Sequence, residues 1–116
     1  MTAARVSPAQ VRIPDDQENV LLGLGRRTVQ LTNLHKMFWP ARGLTKGHLL
    51  QYYADVSGVL LPHLKDRAMV MKRYPNGIHG KCFFMKRTPS PRPEWLETCE
   101  IMHRSGNLIA FPMIQD

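Results

Sequence analysis

Hydrophobic and polar positions fall into regular order from about Arg27 onward. Thr28-Val29-Gln30-Leu31-Thr32 alternates and is rich in β-branched residues, which predicts a short strand. Asn33 follows, then a turn around Trp39-Pro40 and a loop at Ala41-Arg42-Gly43. The clearest helix begins at Thr45, whose hydroxyl suits an N-cap. Apolar residues then recur with helical spacing at Leu49, Tyr52, Tyr53, Val56, Val59 and Leu60. Gly58 weakens that helix by about 1 kcal/mol relative to alanine, and Pro62 predicts a break or restart.

Strand-like runs come next, at residues 68–74 (closed by a Pro75-Asn76-Gly77 turn), 81–86, 98–104 and 108–114. Ser105-Gly106-Asn107 makes the last two a hairpin. The three spaced prolines of Thr88-Pro89-Ser90-Pro91-Arg92-Pro93 predict an extended loop. Residues 1–26, punctuated by Pro8 and Pro14 and acidic at 15–18, show no lasting period and read as a poorly ordered leader or linker. There is no internal repeat. The class is α+β, with one main helix packed on a short-stranded, mostly antiparallel sheet of four or five strands.

Composition narrows the class. The chain has 116 residues, 43% hydrophobic and 22% charged, which is globular and neither disordered, collagenous nor membrane-like. That length is one small domain or a piece of a larger one. No apolar run approaches the ~20 residues of a membrane span, and no secretory leader is recognisable. With Cys82 and Cys99 as its only cysteines, the chain reads as cytoplasmic with reduced thiols.

Charge distribution says more than the net value of +7. Residues 26–92 hold thirteen lysines and arginines against two acids, Asp55 and Asp66, whereas the rest of the chain is net acidic. A basic middle of that density suits a polyanion, nucleic acid before anionic membrane.

Seven motifs then occur in register: Leu31-Thr32-Asn33-Leu34-His35-Lys36, Trp39-Pro40, Gly43-Leu44-Thr45-Lys46, Tyr52-Tyr53, Lys72-Arg73-Tyr74-Pro75-Asn76-Gly77, Phe83-Phe84-Met85-Lys86 and His103-Arg104-Ser105-Gly106. Together they closely resemble the start of the polymerase domain of bacterial DNA ligase D, a primase-like enzyme of non-homologous end joining in the archaeo-eukaryotic primase superfamily. The resemblance covers residues 27–116 and implies the N-terminal portion of a primase-polymerase fold. It implies DNA ends with a recessed 5′-phosphate as partner, and a bacterial, nucleoid-associated setting. The remaining polymerase, ligase and phosphoesterase domains and the Ku protein are implied as further partners, with no membrane partner.

By the same resemblance, Asn33, Lys36 and Lys46 bind the 5′-phosphate. The physics agrees: a helix N-terminus offers unpaired N–H groups and partial positive charge, lysine adds a full charge, and an asparagine amide donates to phosphate oxygen. Lys72 and Arg73 match a template contact that neutralises backbone without reading sequence. Phe83 and Phe84 match an aromatic pair that stacks on a terminal base pair. Neighbours on a strand face opposite sides, so one ring is expected toward DNA and the other in the core. Histidines 35 and 48 depart from the family, which usually has an acid at the first position and often one at the second; a change in helix capping is the consequence foreseen.

Two-metal nucleotidyl transfer needs clustered carboxylates, and the family supplies them as an Asp-x-Asp pair. This sequence contains no Asp-x-Asp and no adenylating Lys-x-Asp-Gly. The expectation is DNA-end binding without the catalytic centre, and no polymerisation by this stretch alone. It implies no cofactor here, with manganese or magnesium and nucleoside triphosphates required by the complete domain. Two alternatives stand beside this. One is a zinc-stabilised nucleic-acid module using His79, Cys82, Cys99 and His103, against which on-strand spacing argues, since Cys99 and His103 would stand roughly 13 Å apart. The other is a non-functional truncated remnant.

Overall fold

The computed structural model describes residues 11–116; the first ten residues of the expected leader lie outside the described residues. The chain forms two compact units. The first takes in the described residues up to Gly58 together with Asn76–Gly80, the second Val59–Pro75 and Lys81–Asp116.

In the first unit, β1 (Val20–Leu24) pairs antiparallel with β2 (Arg27–Leu31), Leu22 opposite Val29 and Leu24 opposite Arg27. Gly25, at φ +63°, supplies the left-handed residue of the connecting turn. The expected strand at 28–32 is therefore present as β2. Its partner β1 lies inside the stretch read as leader, and that part of the expectation is corrected. The reason is visible in the sequence: Val20-Leu21-Leu22 is a continuous apolar run, because the outward Leu21 is apolar as well and stays 67% exposed.

The turn expected at Trp39-Pro40 is a structured corner. Strand β3 (Met37–Trp39) pairs with β4 (Leu44–Thr45) across a short 3-10 helix, Pro40–Arg42, which Gly43 closes at φ 65°. Helix α1 (Lys46–Leu64) follows without a break. Pro62 does not interrupt it, contrary to expectation. The proline sits in the last turn and withdraws one backbone bond, whose acceptor would be the carbonyl of Gly58 at i−4. Leu34, just before β3, is 1% exposed and is the one hydrophobic side chain in the fully buried class among the described residues.

In the second unit, β5 (Met71–Arg73) pairs antiparallel with β6 (Phe83–Met85). Strands β7 (Thr98–Met102) and β8 (Leu108–Pro112) form the foreseen hairpin, with Gly106 at φ 90° in its turn. Thr88 anchors the proline-rich loop to this hairpin: it is buried, and both its amide and its hydroxyl donate to the Ala110 carbonyl, at 2.8 and 2.7 Å. Gln115 donates to Asp66 and Glu97, tying the end of the chain to two acids of the same unit.

The α+β class holds: one helix and small antiparallel pairings. Among the described residues the strands form four separate two-stranded ladders rather than a single sheet, eight short strands where four or five were expected. Each strand pairs with one neighbour, close in sequence or across one loop, and its second edge joins no further strand among the described residues.

Candidate nucleic-acid interface

The first unit brings Asn33, Lys36 and Lys46 together through the main chain. Asn33 takes the left-handed conformation, φ 54°, which asparagine tolerates better than most residues. Its amide donates to Asn19 Oδ1 at 3.2 Å. From there a tight turn forms, the Lys36 amide donating to the Asn33 carbonyl at 3.0 Å. The helix start is stitched onto that turn: the Lys46 amide donates to the Lys36 carbonyl and the Gly47 amide to the Leu34 carbonyl, both at 2.9 Å. Gly47 lets the helix start close on the turn, since a Cβ there would stand a tight 3.1 Å from the Leu34 oxygen.

This geometry corrects one element of the sequence argument. The first amides of α1 are not unpaired donors awaiting an anion. The Lys46 and Gly47 amides are held by turn carbonyls, and the His48 amide donates to Thr45 Oγ1 at 3.3 Å. In return the Thr45 amide donates to His48 Nδ1 at 2.9 Å. That is a reciprocal capping box in which histidine replaces the usual glutamate or glutamine. The N-cap foreseen at Thr45 is present, and the foreseen change in capping at His48 takes this form. Any anion held here is held by side chains.

Glu18, Asn33, His35 and Lys36 line an open concavity of about 390 Å³, and Lys46 is not part of its lining. The Lys36 ammonium is oriented by Asn76, donating to its Oδ1 at 2.9 Å. Asn76 is held in turn by its neighbours. Gly77 has φ +94°, a Cβ there would stand 3.0 Å from the Phe38 carbonyl oxygen, and the Ile78 amide donates to that oxygen at 2.9 Å. His35 lies between two oxygens: Nδ1 is 3.0 Å from the Glu18 carboxylate and Nε2 is 2.9 Å from the Asp15 carbonyl. Sequence reasoning missed Glu18, Asn19 and Asn76. Asn76 was visible only as part of the Lys72–Gly77 motif and its Pro-Asn-Gly turn, neither of which said anything of a lysine 40 positions away.

The second unit carries the other predicted residues on one ladder. Lys72 stands opposite Phe84 and Arg73 opposite Phe83, and directly opposed residues share a face. Each phenylalanine therefore has a cation on its own side. Lys72 Nζ lies 5.7 Å from the Phe84 ring centroid and 5.6 Å from that of Tyr74. On the opposite face Arg73 Cζ lies 5.7 Å from the Phe83 centroid, and Arg73 also contacts Met85 Sδ at 3.7 Å. The Tyr74 hydroxyl beside it raises the Lys72 pKa above the ordinary lysine value, first through a hydrogen bond and then through charge, with a smaller contribution from Cys82. The expectation that one ring packs in the core is corrected: Phe83 is 42% and Phe84 65% exposed. A two-stranded ladder has two open faces, and neither ring is buried.

No group of three or more histidine, cysteine, aspartate or glutamate residues is placed to hold a metal ion among the described residues. His103 is engaged in the β7–β8 turn with Ser105. No helix among the described residues is long and apolar enough to cross a membrane.

Residues 45–116 match the family model described as the LigD primase-polymerase domain. The multifunctional non-homologous end joining protein LigD of Mycolicibacterium smegmatis is 41% identical over 86 residues, 74% of this chain and 11% of that protein. The bifunctional non-homologous end joining protein LigD of Bacillus subtilis is 37% identical over 70 residues, 60% of this chain and 12% of that protein. Among solved structures, the polymerase domain of Mycobacterium tuberculosis ligase D in complex with DNA matches with a TM-score of 0.72 and 39% identity, over 76% of this chain and 30% of that one. The chain thus spans roughly a tenth of the length of these curated relatives.

Proposed function

This chain belongs to the LigD primase-polymerase family, and from that premise we propose that it is the DNA-end-binding part of a repair polymerase of non-homologous end joining, working at the bacterial nucleoid. Asn33, Lys36 and Lys46 receive a recessed 5′-phosphate. Lys72 and Arg73 neutralise template backbone. Phe84 supplies the stacking face, being the more exposed ring and sharing its side with Lys72 and Tyr74; Phe83 presents a second, less open face beside Arg73. Stacking on an aromatic ring accepts any base, as an enzyme that meets unselected breaks requires.

The observation that carries this reading is the stitching of the Lys36 and Lys46 main chains to one another beside Asn33. It gathers two cations and an amide at one corner while leaving their side chains to meet the ligand. The DNA in the complex of the related polymerase domain supports a nucleic-acid partner. Nucleotidyl transfer falls to carboxylates this stretch does not contain. In the complete domain they would hold manganese or magnesium and a nucleoside triphosphate, and the ligase and phosphoesterase domains and Ku would act beside it.

The test is a fluorescence-anisotropy titration of the full chain with two duplexes that differ only in a recessed 5′-phosphate or 5′-hydroxyl. Tighter binding of the phosphorylated end is expected. Equal binding of both, falling steeply with salt, would leave only general attraction to a polyanion and overturn the assignment.

A further inference from the structure

The concavity beside Lys36 holds a negative charge of its own. Its lining includes the Glu18 side chain, whose carboxylate lies 3.0 Å from His35 Nδ1, while Asn33 and Lys36 complete the wall. The Glu18 carboxylate pairs with the His35 imidazole inside the same concavity that Asn33 and Lys36 line, so an anionic group already sits where an incoming anion would enter. We infer that Glu18 is an intramolecular stand-in for the terminal phosphate, an autoinhibitory contact that the incoming 5′-phosphate must displace. The inference rests on the 5′-phosphate reading above and adds to it the residue that regulates the site.

Three features make Glu18 suited to such an exchange. Its main chain is fixed, because its carbonyl accepts the Leu34 amide at 2.9 Å and so helps to hold the turn that presents Asn33 and Lys36. Its side chain is not: carboxylate and imidazole are 47% and 48% exposed, and exposed ion pairs are weak enough to exchange partners readily. The partner it releases has a second anchor, since His35 Nε2 also lies 2.9 Å from the Asp15 carbonyl. A terminal phosphate carries more negative charge than a carboxylate and offers three oxygens, so on reaching Asn33 and Lys36 it also takes His35 from Glu18. A 5′-hydroxyl end brings no such charge and leaves Glu18 where it is.

The experiment compares wild-type chain, Glu18→Gln and the control Asp16→Asn in the two-duplex titration. Glu18→Gln keeps the main-chain bond to Leu34 and removes the charge from the concavity. The ratio of affinities for 5′-phosphate over 5′-hydroxyl ends is expected to rise about threefold. Asp16→Asn changes net charge equally at an exposed neighbour outside the concavity, so it raises affinity for both ends alike and leaves the ratio unchanged. A wild-type preference that Glu18→Gln does not increase overturns the autoinhibitory contact and leaves 5′-phosphate recognition standing. No preference in any of the three chains overturns the parent reading, and this inference with it. A second measurement does not depend on the variants folding. In wild-type chain, the His35 ring nitrogen resonances should move on adding the phosphorylated duplex and hold still with the hydroxyl duplex; equal shifts with both overturn the exchange.

Discussion

Lys36 and Asn76 are 40 positions apart in the chain and meet through a bond of 2.9 Å from the ammonium to Oδ1. The asparagine arrives on a segment that Gly77 and Ile78 press against the Phe38 carbonyl. A lysine in water samples many rotamers, and fixing one before the ligand arrives removes part of the entropy lost on binding. Asn76→Ala keeps every charge and deletes only that orientation. The expected outcome is a two- to fivefold fall in preference for 5′-phosphate ends, about 1 kcal/mol or less, as fits an exposed hydrogen bond. Affinity for hydroxyl ends should not change. Anisotropy with both duplexes checks it, and an equal fall on both would mean that Asn76 acts on the fold and not on Lys36.

Lys72 and Lys46 should separate by the kind of loss each causes. Lys72 lies on the β5–β6 ladder as a backbone neutraliser, so Lys72→Ala should weaken phosphorylated and unphosphorylated ends alike and lower the salt slope of binding by about one. Lys46→Ala should instead reduce the 5′-phosphate preference. The hydrogen bond and charge of Tyr74 raise the pKa of Lys72. The sign follows: a raised lysine pKa keeps the ammonium charged below its ordinary value and loses it only in the alkaline range above. The affinity difference between wild type and Lys72→Ala should therefore stay flat from about pH 6 to 9. Titrations at several salt concentrations and three pH values decide this.

The parts of the fold set by neighbouring residues could be read from the chain. Thr45 and the apolar spacing after it located the start of α1, and Ser105-Gly106-Asn107 located the β7–β8 turn, because caps and turns are local chemistry. β1 escaped because an exposed Leu21 erased the alternation that marks a half-buried strand. The course of α1 through Pro62 escaped because the cost of a proline depends on how near the helix end it falls. At the site, residue types were legible and their partners were not. The amides of Lys46 and Gly47 are taken by carbonyls of Lys36 and Leu34, and Lys36 is set by Asn76. Such pairings depend on where the turn lands in three dimensions, which no period encodes.

The two rings of β6 give a test of faces. Phe84 shares its side with Lys72 and Tyr74, Phe83 with Arg73 and Met85. Removal of a stacking ring costs about 1–3 kcal/mol per base. Phe84→Ala should therefore weaken binding of an end with an unpaired template base roughly tenfold, while Phe83→Ala has the smaller effect. Neither ring is buried, so neither substitution opens a core cavity, and thermal melting should move little for both. A larger loss for Phe83→Ala would reverse the assignment of faces.

His48 offers a test of how the corner is held. Its Nδ1 accepts the Thr45 amide while its own amide donates to Thr45 Oγ1, so one pair of residues satisfies two donors at the start of α1. His48→Ala leaves the Thr45 amide without that acceptor and should cost about 0.5–2 kcal/mol, the range for loss of a cap. His48→Gln can accept the same amide through its side-chain oxygen and should recover most of the loss, as a capping box with glutamine does. Because Lys46 and Gly47 are the residues tied to the 33–36 turn, loosening the first turn of the helix also loosens the spacing of Lys36 from Lys46. His48→Ala should accordingly lower the 5′-phosphate preference along with stability, and His48→Gln should restore both. Urea denaturation followed by circular dichroism measures the first effect, and the paired-duplex titration measures the second. Stability lost with the preference intact would show that the phosphate site does not depend on the helix cap.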